Sequence, residues 1–285
     1  MPKPFVLLIL DGWGLAPPGP GNAISQANLT HIPRLWSSYP HTQLDASEES
    51  VGLPSGEDGN TETGHINIGA GRVVYQDLPR INMAISDGSF YKNDAFLGAI
   101  SYAKSHQSRI HLMGLLSDSG VHASREHLYA LLELMRRQQC MCPVYLHLFT
   151  DGRDSPPKSG LRFVHEVEAK LAEFGQGHIA TIMGRYYAMD RDRRWDRTSR
   201  AYQALTEDIP NIYRSASEAI EASYKKGITD EFIEPAIISD SDGTPHPRIS
   251  THDAVIFYNY RVDRPRQLTR AFTLTDFESH KTTES

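Results

Sequence analysis

At 285 residues, 39% of them hydrophobic and 22% charged, the chain has the length of one large domain or two ordinary ones and the composition of a globular protein. Its formal net charge of −6 argues against nucleic acid and anionic membranes as partners. Cys140 and Cys142, separated by one residue, suit neither a disulfide framework nor a zinc pair, and they read as buried thiols in a reducing compartment.

Residues 5–10 (Phe-Val-Leu-Leu-Ile-Leu) form an unbroken apolar run that reads as a buried strand. The run is too short to span a membrane and no small-residue cleavage site follows it, so the expected compartment is the cytoplasm. It ends in Asp11-Gly12-Trp13-Gly14. Open α/β sheets gather ligands at the carboxyl ends of their strands, which makes Asp11 a candidate metal ligand. A Gly/Pro-rich loop over 17–21 leads to a predicted helix over 22–36, with Asn22 as its N-cap. Residues 59–72 then place four glycines around Thr61 and His65, a density that reads as a loop able to approach a ligand closely. Thr61 there either hydrogen-bonds its own backbone or, with a lowered pKa, attacks phosphorus; both readings stay open.

A domain boundary is expected over 73–79, separating a loop-heavy segment, 1–75, from a more regular one, 76–285. In the second, strands are predicted at 109–116, 144–150, 179–184, 236–239 and 254–259. Helices are predicted near 94–106, 124–139, 159–174, 193–207 and 217–226, with Ser215 and Glu218 at capping-box spacing before the last. The alternation predicts an α/β fold with a mostly parallel sheet and helices on its faces. Residues 275–285 have little apolar content and complete no element, so the chain reads as stopping rather than finishing.

Four predicted strands run into similar chemistry: Ser117-Asp118-Ser119-Gly120-Val121-His122, Asp151-Gly152-Arg153-Asp154, Arg185 through Arg191, and Tyr260-Arg261-Val262-Asp263-Arg264. A single Arg-Asp pair at a strand end is commonly a surface ion pair of little worth. Four in succession on parallel strands would bring five arginines and a histidine to one sheet edge. Guanidinium groups grip phosphate and carboxylate through paired hydrogen bonds, so the expected ligand is a small, multiply charged anion. Arg193, Arg194 and Arg197 read instead as a solvated helix face.

Taken together these blocks resemble the cofactor-independent (2,3-bisphosphoglycerate-independent) phosphoglycerate mutases of the alkaline phosphatase superfamily. The matching segments lie at 10–14, 52–56, 59–65, 67–72, 117–122, 150–154, 184–192 and 259–264, in order along nearly the whole chain. The resemblance implies a partial alkaline-phosphatase-like sheet domain followed by a transferase-like insertion domain that is incomplete at its C-terminus. It also implies interconversion of 3- and 2-phosphoglycerate, in glycolysis and gluconeogenesis, through a phosphoenzyme and two divalent ions, usually Mn2+. By position, Asp11 and Thr61 would be metal ligands and Thr61 the nucleophile. His122, Arg153, Asp154, Arg185, Arg191, Arg261 and Arg264 would hold substrate.

Two departures qualify this. The family nucleophile is serine, whereas position 61 is threonine, whose added methyl restricts χ1 and implies slower turnover. Family chains are also about twice as long, and their C-terminal half carries most of the Asp and His ligands. The expectation for this chain by itself is therefore little turnover. The alternatives are a catalytically silent phosphoglycerate-binding fragment, one half of a split enzyme with a separate C-terminal polypeptide as partner, or a metal-dependent phosphatase. Family members are usually monomeric.

Overall fold

The computed structural model describes residues 3–274, so the expectation for 275–285 lies outside the described residues. The chain divides into two compact units, Met1–Pro79 and Arg80–Ser285.

The first unit holds helices α1 (Ala23–Gln26), α2 (His31–Ser38) and α3 (Thr61–Ala70), a 3-10 turn at Glu48–Val51, and the first residues of α4 (Asp77–Asp87). Its described residues include no strand. The run at 5–10 is exposed rather than buried, with Phe5 93% and Leu8 56% accessible. An apolar run becomes a strand only where neighbours satisfy its backbone N–H and C=O groups, and this unit offers no ladder to join. The helix expected over 22–36 is two helices. Asn22 does cap the first, accepting from the Ser25 N–H at 3.1 Å. Pro33 lies in the first turn of α2; in a continuous helix its ring would clash with the Leu29 carbonyl and it has no N–H to offer. The glycine-rich segment is also not a loop. Asn60 caps α3 by accepting from the Thr63 N–H at 3.0 Å, and Gly71, at φ 64°, ends it in the left-handed conformation.

The second unit is built on six strands: β1 (Ile110–Leu116), β2 (Val144–Thr150), β3 (His178–Gly184), β4 (Ile212–Tyr213), β5 (Ala236–Ile238) and β6 (Ala254–Phe257), in the order β4-β5-β3-β2-β1-β6. The run β6-β1-β2-β3 is parallel throughout. β5 runs antiparallel to β3, and β4 lies parallel to β5 at the edge. All seven residues of β1 are buried, as in a parallel sheet covered on both faces. The covering helices are α5 (Asp94–Ser105), α6 (Arg125–Arg137), α7 (Gly160–Phe174), α9 (Trp195–Thr206) and α10 (Ala216–Lys225), with a single turn, α8 (Arg185–Ala188), after β3 and α11 (Pro265–Thr273) packed on α9. In α6, Leu128, Leu131, Leu132 and Met135 form the buried stripe at i, i+3, i+4 and i+7. The capping box of α10 forms by half. The Glu218 N–H donates to Ser215 Oγ at 3.0 Å, but the Glu218 carboxylate accepts from the Arg214 N–H. Cys140 and Cys142 are free and buried. Among the described residues no helix is long and apolar enough to cross a membrane.

Candidate functional site

In the unit Met1–Pro79, Thr61 opens α3, and its hydroxyl donates to Asp11 Oδ2 at 2.7 Å across fifty residues of sequence. Both side chains are exposed. A carboxylate and a hydroxyl are donors of the kind that hard divalent cations take. They fit such an ion in kind but supply only two of the roughly six ligands it needs. Among the described residues, no three His, Cys, Asp or Glu side chains cluster around Asp11.

In the unit Arg80–Ser285, the carboxyl ends of β1, β2, β3 and β6 deliver the residues singled out in sequence. Directly after β2, Asp151 is a buried hub. It accepts from Ser117 Oγ at 2.6 Å, from Arg185 Nη1 at 2.6 Å, and from the Asp154 and Arg153 N–H groups at 3.0 and 3.2 Å. Burial works against its charge, yet the bonds from Ser117, Asp154 and Arg185 hold the carboxyl below the ordinary range. Arg185, also buried, bridges Asp151 to Asp154 at 2.6 Å each. After α8, Asp190 accepts from Gln267 Nε2 and from the Asp192 and Arg194 N–H groups, fixing the loop that presents Arg191.

The close fit depends on glycine. A Cβ at Gly184, the last residue of β3, would lie 2.2 Å from the Glu231 carbonyl oxygen. At Gly152, where φ is +65°, it would lie 2.8 Å from the Glu231 nitrogen. These two positions let the chain at 230–231 seat against the strand ends, so that Glu231 reaches Arg153 at 3.4 Å.

The result is a small cavity of ≈ 100 Å³, several waters' worth, lined by Arg153, Arg185, Arg191, Arg197 and Arg264 together with Tyr186 and the acidic Asp190, Asp192 and Glu231. Five guanidinium groups face three carboxylates. At Arg264, burial and then repulsion from Arg185, Arg191 and Arg153 push the pKa down. Its guanidinium donates to the Met189 carbonyl at 3.0 Å, and among the described residues its buried Nε has no hydrogen-bond partner.

Beside the cavity, His122 lies 3.7 Å from Asp154 and 3.8 Å from Asp263, too far for direct hydrogen bonds. Burial, followed by the Arg185 charge, lowers its pKa to about 4, so the ring is neutral at physiological pH. His122 Nδ1 is buried without a hydrogen-bond partner among the described residues, and across that gap Asp263 Oδ1 is buried against the Arg261 guanidinium at 3.2 Å. One hydroxyl group could bond both at once, and a buried ring nitrogen left open in this way marks a place for a ligand or water. Asp263 in turn holds Arg191 at 2.7 Å and Arg261 at 3.2 Å.

Of the residues chosen from sequence, Arg153, Arg185, Arg191 and Arg264 thus share one cavity. Asp154 and His122 adjoin it, and Arg261 sits one carboxylate away. Arg197 corrects the expectation of a solvated face: its guanidinium stacks 3.7 Å above the Tyr186 ring and lies 3.5 Å from Asp190. The signal was present in α9, because Ala201, Ala204 and Leu205, four, seven and eight residues on, are its buried face. Arg193 and Arg194 are exposed, as expected, but they precede α9 rather than lying on a helix face. The supporting carboxylates Asp151, Asp190 and Asp263 were not chosen, since a carboxylate that positions a neighbour leaves no pattern of its own.

A sequence profile of the BPG-independent PGAM N-terminus matches residues 81–285. The chain is 56% identical over 277 residues to a 2,3-bisphosphoglycerate-independent phosphoglycerate mutase of Moorella thermoacetica, covering 97% of this chain and 54% of that protein. It is 52% identical over 278 residues to 2,3-bisphosphoglycerate-independent phosphoglycerate mutase 1 of Methanosarcina barkeri, with coverage of 97% and 54%. Among solved structures, a phosphoglycerate mutase of Leishmania mexicana, crystallised at low cobalt concentration, matches with a TM-score of 0.73 and 34% identity, covering 81% of this chain and 44% of that one. The chain spans about half the length of the curated relatives it matches.

Proposed function

The chain belongs to the BPG-independent phosphoglycerate mutases, and from that premise we propose that it contributes substrate binding and a nucleophile to the interconversion of 3- and 2-phosphoglycerate in the cytoplasm. The observation that carries this is the cavity on which Arg153, Arg185, Arg191, Arg197 and Arg264 converge, where Arg264 is held against the charges of Arg185, Arg191 and Arg153 with its Nε buried and without a hydrogen-bond partner among the described residues. An anion entering there would relieve the repulsion at Arg264. The substrate has an anionic group at each end and a hydroxyl between. The arginines take the anionic groups, and His122 Nδ1 with Asp263 Oδ1 takes the hydroxyl. A neutral His122 can donate to or accept from that hydroxyl without adding a further cation to the crowd.

Thr61 is the nucleophile in this proposal. Its Oγ1 forms a bond to phosphorus as the bond from phosphorus to the 3-oxygen breaks; the threonine proton passes to Asp11 Oδ2, which already accepts it in a hydrogen bond, and the departing 3-oxygen takes up a proton from water. In the return step the 2-hydroxyl oxygen attacks the phosphothreonine, its proton leaving to water as the phosphorus–Oγ1 bond breaks, and Thr61 regains its proton from Asp11. Asp11 and Thr61 would also hold a divalent cation of the manganese class, which when bound lowers the pKa of the hydroxyl and offsets phosphoryl charge. A complete two-ion centre would draw on ligands beyond these two. Residues 1–75 would then be phosphatase-like in role and 76–285 transferase-like.

Calorimetric titration tests the substrate assignment. 3-Phosphoglycerate is expected to bind at least about tenfold more tightly than inorganic phosphate or glycerate, since each of these engages only one end. Equal affinity for phosphoglycerate and phosphate would overturn the two-ended grip and favour a simple phosphatase.

A further inference from the structure

β3 ends at the arginine cavity but begins, about 20 Å away by its seven-residue length, at a different cluster that the proposed reaction does not use. His178 is the first residue of β3. Asp240 and His246 belong to the reversal that follows β5, which is pinned by the Ser239–Pro245 bridge, by the Asp240 N–H donating to the Thr244 carbonyl at 2.8 Å, and by the His246 N–H donating to the Ile238 carbonyl at 2.9 Å. The register brings these residues together. β3 and β5 pair Thr181 with Ile237 in antiparallel sense, and continuing that register sets His178 opposite Asp240. In the reversal His246 stands opposite Ile238, two residues before Asp240. Alternation along a strand then places all three side chains on one face of the sheet.

We propose that His178, Asp240 and His246 form a divalent-cation site of the zinc class, separate from the cation site proposed at Asp11 and Thr61. One ligand atom from each residue lies within 4.8 Å of the other two. His246 Nδ1 is already 3.4 Å from Asp240 Oδ1, which is about the ligand-to-ligand edge of a tetrahedron with bonds of about 2.1 Å. The remaining edges close by rotation of His178, whose side chain is exposed. The rings of His178 and His246 already lie 4.7 Å apart, with Tyr145 beside both at 6.1 Å. Two imidazoles and one carboxylate select zinc and its late first-row neighbours over magnesium or calcium, which prefer oxygen alone. Three protein ligands leave a fourth position for water. The bound ion would tie the start of β3 to the reversal after β5, stapling the antiparallel side of the sheet.

Zinc titration of the untagged full chain by calorimetry, with cobalt absorption as a second readout, tests this. The expected result is a saturable site that magnesium does not compete for. His178→Gln and Asp240→Asn should each weaken it about tenfold or more, whereas Asp11→Asn should leave it unchanged. Both substituted side chains are exposed, so folding is retained; zinc should raise the melting temperature of the parent chain but not of His178→Gln. No saturable zinc binding, or zinc binding unaltered by both substitutions, would overturn the site.

Discussion

At Arg264, burial and three neighbouring arginines oppose the charge, while Asp263 supports it. A residue held this way costs stability and gives affinity. Arg264→Met is expected to leave the melting temperature unchanged or slightly raised while weakening 3-phosphoglycerate binding about tenfold or more, the scale of one lost charged hydrogen bond. A lower melting temperature with unchanged affinity would show that Arg264 serves the fold instead. The histidines act differently. Burial lowers His111, His122 and His127 to about 4 and His147 well below its ordinary value. His111 Nδ1 meets His147 Nε2 at 2.9 Å, with Asp253 and Thr181 at the two ends of that chain. Since the unfolded chain takes up these protons near pH 6.5 and the folded chain only near 4, stability is fully present above 6.5 and falls as pH drops toward 4. Urea midpoints should therefore decrease steadily from pH 7 to 4.5. A flat profile would contradict the neutral, buried state of these rings.

Among elements, legibility followed length and pairing. β1, β2, β3 and β6 were readable because each is a run of four to seven mostly apolar residues followed by polar punctuation. β4 is two residues long, too short for any periodicity. The run at 5–10 has strand composition but no ladder, and composition cannot supply partners. α3 was hidden by its own glycines, whose low propensity is outweighed by the Asn60 cap before Thr61 and the Gly71 stop after Ala70. Glycine itself divides into two kinds here. Gly184→Ala would press a Cβ to 2.2 Å from the Glu231 carbonyl oxygen and is expected to cost about 1–3 kcal/mol and loosen Arg185. Gly98→Ala, in the exposed middle of α5 with nothing within 4 Å, should stabilise by about 0.5–1 kcal/mol. Denaturant melts of the pair check both signs; equal effects would mean that the contact at Gly184 is relieved without cost.

For the whole molecule, the parallel run β6-β1-β2-β3 does what no single motif could. It takes arginines separated by more than a hundred residues of sequence and sets them at one edge. The candidate substrate residues were legible because each follows a strand end. Their partners Asp151, Asp190 and Arg197 were less so, since they act through contacts that only the folded sheet creates. The family likeness covers nearly all of this chain and about half of each relative, so the account rests most heavily on what these residues bind. A crystal structure of the chain with 3-phosphoglycerate is the most direct measurement. The account predicts an anionic group of the ligand among Arg153, Arg185, Arg191 and Arg264, with a hydroxyl within hydrogen-bond reach of His122 Nδ1 and Asp263 Oδ1. Ligand bound elsewhere, with that cavity filled only by water, would contradict it.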